Sequence, residues 1–105
     1  MILMITAWSP PDKMGDVMKK FTPLSKEQMQ DMGIKRWQIF YTSDGKDGLK
    51  AYHLIMTETE KADDTIKEII KQFMPMYKVE GFRYKIEILL SLSDAASFAA
   101  NWDNL

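Results

Sequence analysis

Apolar and polar residues along this chain switch between a two-residue rhythm and a helical one, and the switches divide it into elements. The opening "MILMITAW" is apolar on both faces, with Ile2, Met4, Thr6 and Trp8 alternating with Leu3, Ile5 and Ala7. That pattern predicts a strand covered on both sides. "SPPD" predicts a helix start, with Ser9 as N-cap, Pro10 in the first turn and Asp12 favouring the dipole. Met14, Val17, Met18 and Phe21 form the stripe of that helix, and Pro23 interrupts it. Ser25 with Gln28 predicts a capping box for a short helical piece through Met32, which Gly33 stops.

"IKRWQIFYT" predicts a second strand, with Trp37, Ile39 and Tyr41 facing away from Ile34, Arg36, Gln38 and Phe40. "SDGKDG" reads as the hairpin turn into "GLKAYHLIM". In that third strand Leu49, Ala51, His53 and Ile55 oppose Lys50, Tyr52, Leu54 and Met56, so neither face is made for water. Thr57 with Glu60, or Thr59 in competition, predicts a cap for a helix striped by Ala62, Ile66, Ile69, Ile70 and Phe73 and ended by Pro75. "VEGFRYKIEILL" predicts a fourth strand, with Phe82, Tyr84, Ile86, Ile88 and Leu90 on one face. Ser93 and Asp94 then predict the cap of a last helix carrying Ala95, Phe98, Ala99 and Trp102.

The order is strand, helix, strand, strand, helix, strand, helix, and no linker or repeat divides residues 1–105, so one domain is expected. Two right-handed crossovers in the split βαβ arrangement put both helices on one face of a four-stranded antiparallel sheet. The apolar second faces of the first and third strands then need a cover, from the last helix or, with more buried area, from a second copy of the chain.

Composition narrows the partners. The 14 basic and 15 acidic residues are scattered and nearly balanced, which argues against a nucleic-acid binder. The chain has no cysteine and one histidine, which excludes thiolate zinc, iron–sulfur clusters and a cysteine nucleophile within one chain. No apolar run approaches the roughly 20 residues of a membrane span, and the opening lacks the basic flank and small-residue cleavage site of a signal peptide. A cytoplasmic protein without cofactor, metal or membrane partner is expected.

The segments "MILMITAWSPPD", "FYTSDGKDG" and "KIEILLSLSDAASF" together resemble the dimeric α/β-barrel superfamily, the ferredoxin-like dimers that include small monooxygenases. The resemblance lies in an apolar strand ending in Trp before a Pro-containing helix start, a W/F-x-x-x-D-G-x-x-G hairpin, and a helix after the last strand. It implies the α+β ferredoxin-like βαββαβ fold with an extra C-terminal helix, and a dimeric barrel. It implies no particular substrate.

His53 is the candidate catalytic residue, because imidazole is the side chain that titrates near neutrality. The small Ala51 on its face leaves room for a pocket beside it. Trp8, Trp37, Tyr41, Tyr52 and Tyr84 are candidate ligand-binding aromatics, although the same residues suit a packed sheet or an interface. The nine methionines fall mostly on core stripes and read as gap-fillers. Glu58, Glu60, Asp63 and Asp64 favour a helix N-terminus more simply than a metal, and "SDGKDG" lacks the remaining residues of a calcium or phosphate loop.

The expectation is a small homodimer, or higher homo-oligomer, binding a small hydrophobic or aromatic molecule in a sheet-lined cavity. The alternatives are a cofactor-independent monooxygenase or isomerase with His53 as base, and a structural interaction module.

Overall fold

A computed structural model of the chain describes residues 1–101. Strands β1 (Ile2–Ser9), β2 (Ile34–Ser43), β3 (Leu49–Thr57) and β4 (Arg83–Leu89) form one antiparallel sheet in the order β2-β3-β1-β4. Helices α1 (Met14–Lys20) and α2 (Lys26–Asp31) connect β1 to β2, α3 (Ala62–Phe73) connects β3 to β4, and α4 (Leu92–Ala100) follows β4. This α+β architecture is compatible with a ferredoxin-like fold, and the sheet is open, not closed into a barrel.

The two-sided strands β1 and β3 are the central pair. Their register sets Ile5 against His53 and Ala7 against Ala51. Leu3, Ile5, Ala7, Ile55, Val17 of α1, and Ile69 and Phe73 of α3 form one buried cluster, so both crossovers cover the same face. Thr65, fully buried on α3, donates to the carbonyls of Lys61 and Met32 and ties that helix to the end of α2.

The hairpin turns through a 3-10 turn at Gly45–Asp47, with the Asp44 N–H bonded to the Gly48 carbonyl. Gly48 has φ +95° and approaches the end of β1 so closely that a Cβ would lie 2.0 Å from the Ser9 carbonyl oxygen. Only glycine fits there.

Several boundaries differ from those the sequence predicts. Helix α1 starts at Met14, not at Pro10, because β1 continues through Ser9 and two prolines without N–H groups form the turn. Thr57 ends β3 with a buried hydroxyl and makes no capping box with Glu60, nor does Thr59 cap α3. The box of α4 uses Ser91 with Asp94, not Ser93, while that of Ser25 and Gln28 forms as expected. Phe82 is buried in the turn ahead of β4. Trp102 lies outside the described residues.

Helix α4 does not cover the second face of the sheet. Every one of its residues is exposed, Leu92 at 88% and Phe98 at 50%. The radius of gyration, 15.8 Å, exceeds the roughly 13 Å of a compact domain of this length.

Candidate functional site

A cavity of about 310 Å³ lies between the covered face of the sheet and helices α1 and α3. Its floor is made where the sheet is thinnest in side chains, at the cross-strand pair Ala7 and Ala51. Phe21, Phe73, Met14, Val17 and Met76 rise around that floor. Tyr41 and Met18, both more than half exposed, mark the mouth, and His53, only 4% exposed, marks the closed end. Among the described residues no Asp, Glu, Lys or Arg side chain lines it.

His53 is held on three sides by rings. Phe21, Trp37 and Phe73 pack edge-on against the imidazole at centroid distances of 5.6, 5.9 and 5.3 Å. Trp37 on β2 is a diagonal neighbour of His53, since it pairs with Ile55 and His53 pairs with Ile39. Its indole N–H donates to Nδ1 of His53 at 2.9 Å. A neutral imidazole accepting at Nδ1 carries its proton on Nε2.

Burial pushes the His53 pKa down from 6.5 to about 4, so the ring is neutral at physiological pH. Nε2 has no protein partner among the described residues, and it is not sealed off. The one fully buried side-chain polar atom left unpartnered among them is Thr57 Oγ1. With Nδ1 occupied, the Nε2–H is the one hydrogen-bonding group the imidazole has left, and His53 is a lining residue of the cavity. A general base needs a free lone pair, and the imidazole's lone pair is engaged by Trp37.

The predicted aromatics separate into four places. Tyr41 lines the cavity with His53. Trp37 holds His53 from a smaller pocket of about 120 Å³ beside Phe21, Pro23 and Ile39. Tyr84 faces the helices but stands behind Phe73, stacked on it at 4.9 Å, and burial together with the Tyr77 hydroxyl pushes its pKa up to about 12.

Trp8 and Tyr52 lie on the opposite face, away from the cavity. There the Arg83 guanidinium sits 4.3 Å from the Trp8 ring centroid, and the Lys50 ammonium sits 5.5 Å from Trp8 and 5.1 Å from Tyr52. The Tyr52 hydroxyl beside Lys50 raises the pKa of that ammonium. Neighbouring residues of a strand face opposite ways, so Tyr52 and His53 cannot share a site. That signal was available in the sequence.

Ser9, read in the sequence as a helix N-cap, and Met14, Met18 and Met76, read as gap-fillers, belong to the cavity wall. Among the described residues no group of three or more His, Asp or Glu side chains converges as a metal ion would need. No helix among them is long and apolar enough to cross a membrane. No protein-family model and no curated protein matches this chain, so the reading of the site rests on its own geometry.

Proposed function

We propose that this protein is a homodimer that binds a small hydrophobic or aromatic molecule in the cavity between its sheet and helices. The observation that carries the ligand is the charge-free cavity of about 310 Å³, at the lower end of the range of small-molecule sites, with one oriented polar group at its closed end.

The dimer is supported by surface. The chain exposes 7293 Å². A compact monomer of its mass exposes roughly 6,100 Å², and the excess surpasses the roughly 800 Å² per partner of a standard interface. Met4, Leu54, Met56 and the exposed Phe40 share the open sheet face with Arg36 and the Lys85–Glu87 ion pair, and Trp8, Arg83 and Lys50 gather at one end. Two such faces packed about a two-fold axis would bury Met4, Leu54 and Phe40 in a shared barrel.

The enzymatic alternative, an isomerase or monooxygenase, retains His53 as a donor that polarises a carbonyl, but the lone pair it needs as a base is occupied. A native mass measurement of the purified protein tests the proposal. A dimer carrying added small-molecule mass, or taking up an aromatic probe at one site per chain, is expected. A monomer that takes up none overturns it.

A further inference from the structure

We infer that the ligand is a neutral, one- or two-ring molecule bearing a carbonyl-type acceptor, which enters acceptor-first and receives the Nε2–H of His53. This deepens the proposed cavity reading and rests on it. Three observations lead to it.

The first is charge. Among the described residues no Asp, Glu, Lys or Arg lines the cavity, and His53 is neutral at neutral pH. An anion or cation inside would lose its hydration without gaining a counter-ion, so a neutral molecule is favoured. The second is polarity at the closed end. Trp37 occupies the acceptor nitrogen of His53, which leaves only a donor to meet the ligand. A ligand ending in a hydroxyl or amine can accept the Nε2–H through its oxygen or nitrogen but leaves its own hydrogen without an acceptor on His53, while an apolar end leaves the buried N–H unpaired. The third is size and direction. The volume equals that of roughly ten waters, and the exposed Tyr41 and Met18 lie at the mouth opposite the buried imidazole. The Ala7 and Ala51 floor gives a flat ring a surface to lie on, with Phe21 and Phe73 against its edges.

The probes are ethylbenzene and acetophenone, which differ by a carbonyl oxygen, with benzoate as the charged control. Binding to the intact protein is measured by calorimetry, and the proton shift of the sole histidine's Nε2–H is followed by NMR. In His53→Phe, acetophenone affinity is expected to fall about five- to tenfold relative to that of ethylbenzene. In the unmodified protein, acetophenone and not ethylbenzene is expected to move the Nε2–H resonance downfield. The resonance shift reads the contact directly if the variant does not fold.

Binding of both neutral probes with an unmoved Nε2–H overturns the inference and leaves the cavity reading standing. Benzoate binding more tightly than acetophenone overturns the restriction to neutral ligands. Failure of both neutral probes to bind overturns the cavity reading, and this inference with it.

Discussion

The indole N–H of Trp37 donates to Nδ1 of His53 at 2.9 Å, and this bond decides what the only histidine can do. It places the imidazole's proton on Nε2 and turns a potential base into a donor. Replacing Trp37 with Phe keeps a ring in place and removes the N–H. The buried Nδ1 is then unpaired, and the chain is expected to lose about 1–3 kcal/mol of stability. Urea unfolding checks this through a lower midpoint at unchanged slope.

Acid should act on the same residue. Its folded-state pKa lies near 4, below the ordinary 6.5, so the unfolded chain takes up a proton that the folded chain refuses. His53 leaves stability unaffected above pH 6.5 and lowers it progressively toward pH 4, where the loss reaches about 3 kcal/mol. Urea midpoints at neutral pH and between the two values measure the loss, and His53→Leu is expected to remove this part of the slope.

Gly48 joins the hairpin to the mouth of the cavity. Its φ of +95° and its approach to the Ser9 carbonyl leave no place for a methyl group. Gly48→Ala is expected to cost roughly 2–4 kcal/mol by strain and displacement of β1. Because Ser9 and Leu49 both line the cavity, probe affinity should fall with it. Thermal unfolding and probe titration of the variant check the two effects separately.

The open face makes a separate prediction. Leu54 sits at its centre, paired with Met4 on one side and Gln38 on the other. Leu54→Glu places a charge where the second copy would pack, and the variant is expected to sediment as a monomer with an unchanged circular dichroism spectrum. A variant as dimeric as the parent would remove this face from the interface.

Much of the fold was legible because strands and helices write different periods. The two-sided "MILMITAW" and "LKAYHLIM" announced the central pair, and Pro75 and Gly33 ended their helices where expected. The start of α1 was obscured by "SPP", where Ser9 suits a cap and a strand end equally and tertiary pairing with Leu49 decided for the strand. The last helix was expected to be capped at Ser93, whereas Ser91, three residues before Asp94, has the spacing of a capping box and forms it.

For the site, parity placed His53 beside Ala51 and against Tyr52. What parity does not contain is the offset between β2 and β3, which the hairpin turn sets, since the pairing runs unbroken from Ser43 and Leu49 to Arg36 and Met56. That offset brings Trp37 to Nδ1 and so sets the chemistry of the site. The wall contributed by Met14, Val17 and Met76 depends equally on how the helices seat.

Methionine methyl groups provide the most direct test of the central claim, that the covered face of the sheet holds a site for a neutral small molecule. Met14, Met18 and Met76 line the cavity, while Met4 and Met56 lie on the opposite face. In a chain labelled at its methionine methyls and titrated with acetophenone, the first three resonances are predicted to move together and saturate, and those of Met4 and Met56 to stay in place. Saturable shifts confined to Met4 and Met56, or no shifts at all, would contradict it.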